Sequence, residues 1–591
     1  MSAPASVMDI AARVGRGETS AVEIAREALA RAQAYEAIQP QVWISRFEAD
    51  AVLAAAARVD ARVAAGEPLP LAGVPFAVKD NIDVAGLPTT AACPAFAYRP
   101  QAHAEVVARL IAAGAVVIGK TNLDQFATGL VGTRSPYGAC GAVHNRAYIS
   151  GGSSSGSAVA VGAGLVAFAL GTDTAGSGRV PAALNGLVGL KPTKGRWSTQ
   201  GLVPACRSLD CITVLARSAA EAAAVDAVAA GFDAQDAYSR RAPGLTLAAP
   251  PRPRIALPRP DQLNWVGDTA SPRLFEAAIA RVRAMGAELV EVDIDPLLAA
   301  ARLLYQGPWV AERTAAVEDL LRERPSAIHP VVRGILESGR AISAVETFKG
   351  VYALAEHQRQ AEAIWEAADA LLLPTCPTTY RIRELLAEPL ALNANLGLYT
   401  NFVNLLDMSA IAVPAGFRED ATGFGVTFIG PAWADTALLD LARRYEEIAP
   451  MPDAPTLDLT GVKPRIKLAV VGAHLAAMPL HWQLTSREAQ LVRRCKTAPA
   501  YRLYAMAETT PPKPALAHVG DGGAAIEVEV YSLDVKSFGS FVAEVPAPLA
   551  IGTVTLDDGA EVKGFVAEPR ALNGAADITA LGGWRAYIAG L

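Results

Sequence analysis

Residues 151–178 read GGSSSGSAVAVGAGLVAFALGTDTAGSG, an apolar run enclosed by two segments rich in serine and glycine. Such segments suit a flexible linker, a loop that binds phosphate, or a nucleophile with its supporting groups. The run from Ala158 to Leu170 is too short, and too rich in glycine and alanine, to span a bilayer, so we predict a buried helix there. The choice among the three interpretations depends on the rest of the chain.

The overall composition predicts a globular protein with a large buried core. The chain has 591 residues, of which 52% are hydrophobic and 19% are charged, and its formal net charge is −6. Because nucleic acids and anionic membranes bind positively charged surfaces, this balance argues against either as the main partner. The opening segment MSAPASVMDIAARVGRGETS lacks the basic flank and apolar run of an export signal, which predicts a cytoplasmic protein.

Neither a metal ion nor a cofactor is predicted. The six cysteines include no C-x-x-C pair, and the seven histidines are scattered without the spacing of a metal site. The histidines also lie in no motif that pairs a histidine with a catalytic serine. We therefore expect reduced thiols and, if a serine acts as a nucleophile, a base other than histidine.

Alternating helix and strand patterns over residues 1–450 predict an α/β domain. For example, RIALPRP (254–260) and LFEAAIARVRAMGAELVEVDI (274–294) follow a strand–helix–strand pattern. Residues 451–464 belong to a proline-rich stretch that we predict to be a linker.

Residues 465–591 are predicted to form a smaller, β-rich α+β domain. The segment IEVEVY (526–531) alternates apolar and polar residues, as a half-buried strand does. Asp558-Gly559 is typical of a hairpin turn, because that turn needs positive φ angles.

Residues 114–121, GAVVIGKT, match the G-x-x-x-x-G-K-[ST] pattern of phosphate-binding loops. A working loop follows a strand and begins a helix, and its amides curl around the phosphate. Here a helical pattern precedes Gly114, and the residues between the two glycines are typical of a strand. We therefore predict a strand, and the hypothesis of a nucleotide-dependent enzyme rests on this motif alone.

The candidate base is Lys79, at the end of the apolar segment PFAVK. Burial disfavours an ammonium group and lowers its pKa, which leaves a neutral amine able to accept a proton. The segments GVPFAVKD, GGSSSGS and GTDTAGS resemble, in order and spacing, the motifs of the amidase signature family. The segments NLDQFATGLVGTRSPYG (122–138) and LVGLKPT (187–193) are similar to that family as well, and the resemblance covers about residues 5–450.

This resemblance implies the amidase signature fold, a mixed sheet covered by helices, and a Lys–cis-Ser–Ser relay that needs no cofactor. Ser177 is then the nucleophile, Ser153 the bridging serine that takes its proton, and Lys79 the base. Backbone N–H groups just before the nucleophile are expected to form an oxyanion hole. The residues concerned are Thr174, Ala175 and Gly176.

Two features resemble the branch of the family that hydrolyses allophanate (urea-1-carboxylate), ultimately to ammonia and carbon dioxide. They are the nucleophile segment TDTAGSGRVPA and the extension after residue 465, which is similar to the cyclotransferase-like extra domain of that branch. The resemblance implies a small-molecule substrate, allophanate, derived from urea use or from s-triazine breakdown. It also implies a homodimer, with association with upstream pathway enzymes as a further option.

A substrate that carries a carboxylate requires a cation, and arginine binds carboxylates with two parallel hydrogen bonds. Tyr305 and Arg313 match the substrate-binding tyrosine and arginine of the family, and Gly129 is a third candidate. In the alternative interpretation, Arg313 pairs with a nearby acid such as Asp319 and Tyr305 belongs to the core.

His474, after an apolar strand of the second domain, is the candidate there for processing the first product; the domain serves dimerisation in the alternative interpretation. Two further functional hypotheses stay open at this point. One is a general amidase for small amides such as malonamide, and the other is a non-catalytic subunit that uses the amidase scaffold for assembly.

Overall fold

A computed structural model describes residues 5–244, 248–448, 465–487, 489–507 and 509–590. These residues form two compact units, the first drawn from 5–448 and the second formed mainly by 465–590. The predicted linker, 451–464, lies outside the described residues.

Within the described residues, the first unit is built on an eleven-stranded sheet. Its strands are β1 (Trp43–Arg46), β2 (Pro75–Lys79), β3 (Val116–Thr121), β4 (Phe168–Asp173), β5 (Val188–Lys191), β6 (Cys211–Ala216), β7 (Arg254–Pro258), β8 (Glu288–Val292), β9 (Ala370–Pro374), β10 (Ser409–Phe417) and β11 (Gly423–Gly430). They lie in the order β1-β3-β2-β4-β6-β5-β10-β11-β9-β7-β8. Strand β2 runs parallel to β3 and β4, and β7 runs parallel to β8 and β9, whereas β4 and β6 are antiparallel. The sheet is mixed, which confirms the predicted fold class.

Helices cover this sheet. They are α1 (Val7–Gly15), α2 (Ala21–Glu36), α3 (Ala49–Ala64), α4 (Glu105–Ala112), α5 (Ser155–Gly162), α6 (Arg179–Leu184), α7 (Ala219–Ala229), α8 (Ala270–Ala284), α9 (Asp295–Gln306), α10 (Trp309–Ala316), α11 (Glu318–Glu323), α12 (Pro330–Gly339), α13 (Ala344–Ala367), α14 (Ile382–Ala387), α15 (Ala391–Leu396), α16 (Phe402–Leu405) and α17 (Asp435–Ile448). Capping residues define where several of these helices begin. At α2, the Ser20 hydroxyl accepts from the Glu23 amide and the Glu23 carboxylate accepts from the Ser20 amide, so both amides are satisfied.

The chain from Ala158 to Leu170 corrects one prediction, because it is not a single buried helix. Helix α5 ends at Gly162, and β4 begins at Phe168. Gly164, in between, has a φ of +69°, the left-handed conformation that ends many helices. A buried apolar helix and a buried apolar strand have the same hydrophobic pattern, so periodicity did not separate them.

The GAVVIGKT segment is a strand, as predicted. Helix α4 precedes it, Gly114 has a φ of +98°, and β3 runs through Lys120. Lys120 is buried, and its Nζ lies 3.2 Å from Asp80 Oδ1. The lysine that a phosphate loop would use is therefore the partner of an internal carboxylate.

The second unit contains two sheets within the described residues. Its elements are β12 (Arg465–Val470), α18 (Trp482–Thr485), β13 (Gln490–Lys496), β14 (Tyr501–Ala505), β15 (Pro514–His518), β16 (Glu527–Asp534), α19 (Val535–Val542), β17 (Leu549–Thr555), β18 (Glu561–Ala567), β19 (Ala576–Asp577) and α20 (Trp584–Ala589). The sheet orders are β13-β16-β12-β18-β17 and β15-β14-β19. Strands β17 and β18 form the predicted hairpin, and Gly559 has a φ of +83° in its turn.

Strand β16 corrects a second prediction, because it is buried on both faces. Val528 and Val530 are each 1% exposed, but Glu529 on the opposite face is 0% exposed. The strand lies between β13 and β12, and Glu529 is compensated by Arg494 and Arg585 at 2.8 Å each. The polar residue Glu529 in this alternating strand therefore belongs to a buried ionic network and does not mark a face exposed to solvent.

Candidate active site

Lys79 ends β2 inside the first unit and is 0% exposed. Its Nζ lies 2.7 Å from Ser153 Oγ and 2.6 Å from Thr172 Oγ1. Burial lowers the pKa of Lys79 to about 7, although the carboxylates of Asp124, Asp210 and Asp173 oppose that shift. A good fraction of this amine is therefore neutral at physiological pH and able to accept a proton.

Parallel pairing of β2 with β4 explains this arrangement. Val78 is opposite Leu170, so Lys79 and Thr172 come close where the two strands end. Parallel central strands are covered on both faces, which removes the lysine from water. Thr172 is a site residue that sequence reasoning missed; it lies in the GTDTAGS motif, two residues before the first residue singled out there.

Ser153 is fully buried, and the Gly152–Ser153 peptide bond is cis. The Ser153 carbonyl accepts from the Asp124 amide at 3.1 Å. A Cβ atom on residue 152 would lie 2.2 Å from Asp124 Oδ2, so only glycine fits immediately before this serine. The backbone around Ser153 is thus fixed from both sides.

Ser177 is 2% exposed and lies in the turn between β4 and α6. Its carbonyl accepts from the Ser154 amide at 3.3 Å, so the two serine segments are in direct contact. The Ser177 hydroxyl donates to the Gly129 carbonyl at 3.4 Å, and within the described contacts it makes no hydrogen bond to Ser153 Oγ. Rotation of this hydroxyl is needed before a proton can pass from Ser177 to Ser153.

A buried ion pair shapes the turn that carries Ser177. Arg179 binds both carboxylate oxygens of Asp173, at 2.9 and 3.0 Å, and both side chains are 0% exposed. The same carboxylate accepts from the amides of Gly176 at 2.8 Å and Gly178 at 3.1 Å. Such a charge-assisted network holds a turn rigidly. This role of Asp173 and Arg179 was not found from the sequence.

The predicted oxyanion donors differ in their availability. Among the described contacts, the amides of Thr174 and Ala175 donate to no other group, whereas the Gly176 amide is occupied by Asp173. Gly176 has a φ of +124°, and a Cβ atom there would lie 2.4 Å from Thr400 Oγ1. Glycine at 176 is therefore required by the turn, and the two residues before it offer the unoccupied N–H groups.

Asp210 is a second carboxyl that sequence reasoning missed. It accepts hydrogen bonds from the Thr174 hydroxyl and from the Ala205 amide, the latter at 2.8 Å. Burial raises the pKa of Asp210 to about 6. The side chain of Thr174 is thereby fixed next to the unoccupied amides.

Arg313 and Tyr305 lie together, although they belong to different helices. Helix α9 ends at Gln306 and α10 begins at Trp309, so the Gly307-Pro308 step separates the two helices. The Arg313 guanidinium lies 5.2 Å from the centre of the Tyr305 ring. Arg313 is 2% exposed, and the only hydrogen bond that its side chain makes among the described residues is to Thr128 Oγ1 at 3.4 Å.

The alternative partner of Arg313 is excluded, because Asp319 binds Arg322 at 2.6 Å on an exposed surface. Arg313 Nε is buried without a partner. A buried guanidinium without a carboxylate is costly unless an anion binds it. Thr128 precedes Gly129, whose carbonyl contacts Ser177, so the three predicted substrate residues lie around the nucleophile turn.

His474, in the second unit, packs between two aromatic rings. It stacks on Phe565 at 5.1 Å and contacts Phe541 edge-on at 5.1 Å, and its Nε2 lies 2.7 Å from Gln483 Oε1. Burial lowers the pKa of this histidine, which favours the neutral ring. These contacts place His474 in an aromatic cluster with one ring nitrogen bound.

The described residues form neither a cluster of metal ligands nor a membrane-spanning helix. No group of three or more His, Cys, Asp or Glu side chains is placed to hold a metal ion in that part of the chain. No helix there is long and apolar enough to cross a membrane.

Comparison with known proteins gives matches over most of the chain. The amidase family matches residues 23–439, and the allophanate hydrolase C-terminal domain matches residues 466–589. Urea amidolyase from Lachancea kluyveri is 47% identical over 570 residues, which cover 92% of this chain and 31% of that protein. Its counterpart from Saccharomyces cerevisiae is 46% identical over 547 residues, with coverages of 88% and 30%. The chain therefore spans less than a third of the length of these two relatives.

A solved structure of allophanate hydrolase from Kluyveromyces lactis is similar along the whole chain. It is 42% identical in sequence, with a TM-score of 0.73, and the match covers 100% of this chain and 99% of that one.

Proposed function

The chain belongs to the amidase family, and we propose that it is a serine-type amidohydrolase that hydrolyses allophanate. One observation carries the proposal. It is the buried amine of Lys79, with a pKa lowered to about 7 and its Nζ 2.7 Å from Ser153 Oγ, in the unit that also contains Ser177. A neutral lysine bound to a serine can serve as a general base. The two serine segments contain no histidine that could take this role.

The reaction follows from these groups. Ser177 Oγ attacks the terminal amide carbon of allophanate while its proton passes through Ser153 to Lys79. The carbon–nitrogen bond then breaks, the nitrogen leaves as ammonia with the proton from the relay, and a water molecule hydrolyses the acyl-enzyme. The balance is one allophanate anion and one water giving the iminodicarboxylate dianion and one ammonium ion. That dianion takes up one proton and loses carbon dioxide to leave carbamate, and carbamate takes up two further protons and breaks down to ammonium and a second carbon dioxide.

In the transition state, negative charge develops on the carbonyl oxygen of the substrate. The unoccupied amides of Thr174 and Ala175 are proposed to donate hydrogen bonds to that oxygen, and the Gly176 amide is proposed to join them once its bond to Asp173 lengthens. The substrate carboxylate is proposed to bind Arg313, whose guanidinium lacks a protein anion, beside Tyr305 and Gly129. A neutral amide substrate would leave the positive charge of that guanidinium without a negative partner. This difference supports an acidic substrate over malonamide or a simple amide.

For the second domain, residues 465–591, we propose a role in the release of carbon dioxide, with dimerisation as the alternative. His474 is the residue proposed for that step, because burial favours its neutral ring, which packs against Phe541 and Phe565. The domain boundaries 1–450, 451–464 and 465–591, a homodimer, and action in the cytoplasm within urea or s-triazine degradation are parts of the same proposal. Association with the enzyme that supplies allophanate is a further part of it.

The test of this proposal is a comparison of substrates. Purified protein receives allophanate, malonamide or a simple aliphatic amide, without ATP, and ammonia release is measured. We expect turnover of allophanate with kcat/KM at least about a hundredfold above that of either neutral amide, the size of two charge-assisted hydrogen bonds. Turnover of the neutral amides alone would support a general amidase, and no turnover of any of them would support a non-catalytic subunit.

Replacement of Arg313 by glutamine is expected to raise KM for allophanate by about 10- to 100-fold, because the carboxylate loses its charged donor. Turnover of a neutral amide is expected to change less than about threefold. Steady-state kinetics on both substrates provide the measurement. The matched control is Arg322→Gln, which removes an exposed arginine from the next helix. An equal loss on both substrates would assign Arg313 to packing.

A further inference from the structure

A second arginine lies beside the nucleophile turn and has no assigned role. Arg134 belongs to the segment 122–138 and is 1% exposed. Its Nη1 donates to the Thr128 carbonyl at 3.0 Å and its Nη2 to the Pro389 carbonyl at 2.7 Å. Its Nε is buried without a partner, so three of the five guanidinium N–H groups make no hydrogen bond to the described residues.

The two buried arginines meet at one residue. Arg134 binds the carbonyl of Thr128, and Arg313 approaches the hydroxyl of the same residue at 3.4 Å. Neither guanidinium lies within 4.0 Å of a carboxylate in the described part of the chain. The nearest acid to Arg134 along the chain, Asp124, accepts the Arg134 backbone amide at 2.9 Å and is otherwise bound to the amides of Val131 and Gly132.

Both guanidinium groups are therefore close to the reacting centre. Thr128 is followed by Gly129, whose carbonyl lies 3.4 Å from Ser177 Oγ. The stem of Arg134 packs on this glycine, since a Cβ atom at residue 129 would lie 3.2 Å from Arg134 Cδ. Two cations buried near one another repel, and an anion placed between them offsets that cost.

There is room for a small acid next to Arg134 and next to Tyr305, the ring over which the Arg313 guanidinium lies. Arg134 and Tyr305 both line a cavity of about 450 Å³. Asn401 lines the same cavity, and its Oδ1 is buried without a hydrogen-bond partner. A cationic donor and an amide acceptor thus face one space, a combination that suits a ligand with a carboxylate and an N–H group.

We propose that Arg134 and Arg313 together bind the dicarboxylate that hydrolysis produces, which rests on the function proposed above. Allophanate carries one carboxylate, whereas iminodicarboxylate carries two, so the negative charge grows during the reaction. Arg313 binds the carboxylate already present in the substrate, and Arg134 binds the one that forms from the amide carbon. Arg134 is then a specificity-determining residue, because it favours substrates that gain charge next to an existing carboxylate.

The test compares a dianion with a monoanion of the same shape. The probes are malonate, a carbon analogue of the dicarboxylate, and malonamate, in which one carboxylate is an amide. Binding is measured by calorimetry in a Ser177→Ala background, so that nothing is hydrolysed. We expect Arg134→Gln to weaken malonate binding by at least about tenfold and malonamate binding by less than about threefold, as loss of one charge-assisted contact predicts.

Two further variants keep the comparison decisive. Arg134→Lys retains the positive charge without the planar guanidinium, and we expect it to weaken malonate binding, but not malonamate binding, by about three- to tenfold. This variant tests the inference even if Arg134→Gln does not fold. Arg322→Gln is the matched control, because Arg322 is an exposed arginine that pairs with Asp319 and does not line this cavity. Its ratio of malonate to malonamate affinity is expected to equal that of the parent protein.

The outcomes separate this inference from the proposed function. Equal weakening of both probes, or no weakening of either, overturns the inference and leaves Arg134 as a support of the Thr128 loop. Absence of malonate binding to the parent protein overturns it as well. If Arg134 selects malonate while the Ser177-containing protein releases no ammonia from allophanate, the dianion site stands and the allophanate proposal fails.

Discussion

Replacement of Ser177 by alanine is expected to reduce kcat on allophanate by at least about 10⁴-fold. Removal of a catalytic serine in comparable enzymes costs up to about 10⁶-fold, because the covalent route is lost and only binding and the oxyanion site remain. The Ser177 hydroxyl makes one hydrogen bond of 3.4 Å, so its loss leaves little unsatisfied. Thermal unfolding is therefore expected to be unchanged.

Ser153→Ala tests the second serine in the same assay. Proton transfer through a positioned group contributes about 10²- to 10⁴-fold, so we expect a loss in that range and below that of Ser177→Ala. Mass spectrometry of protein quenched during turnover should show an acyl adduct in the parent and none in Ser177→Ala. Ser326→Ala, an exposed serine outside the relay and outside the cavity, is the control. Activity above about one per cent of the parent in Ser177→Ala would contradict its assignment as the nucleophile.

The second large expected effect concerns Lys79, whose protonation state is expected to set the pH dependence of kcat/KM. Burial lowers the pKa of Lys79 to about 7, so the amine is neutral above that pH and protonated below it. The neutral form is the base, and kcat/KM is therefore expected to rise with pH and to be half-maximal near pH 7. At pH 6 we expect about a tenth of the plateau value.

Lys79→Met and Lys79→Arg separate the two roles of this side chain. Both remove the base, and we expect each to lower kcat by at least about 10³-fold. Arginine keeps the positive charge but stays protonated, so activity in Lys79→Arg would show that charge alone suffices. Asp210, with a pKa raised by burial to about 6, titrates nearby. The acid limb is expected to persist in Asp210→Asn, and its disappearance there would reassign the pKa to Asp210.

Local patterns were sufficient for much of the fold. Strand β7 and the β17–β18 hairpin were predicted from an apolar run and from turn residues, because neighbouring side chains determine such short elements. The GAVVIGKT segment was recognised as a strand for the same reason. Ala158–Leu170 was misread because a buried apolar helix and a buried apolar strand have the same hydrophobic pattern, and β16 was misread because Glu529, on its polar face, is buried in an ion-pair network.

The serine motifs and their order, together with the apolar run that ends in Lys79, were determined by the sequence alone, and with them the family and the residues proposed for the relay. The tertiary structure decided what surrounds those residues. It placed Thr172 next to Lys79, locked the nucleophile turn with Asp173 and Arg179, and left Arg313 without a carboxylate. The residues that meet in these contacts lie up to 185 positions apart in the sequence. The charges and pKa values of the site depend on burial and on partners distant in the chain, and neither is visible in a local pattern of residues.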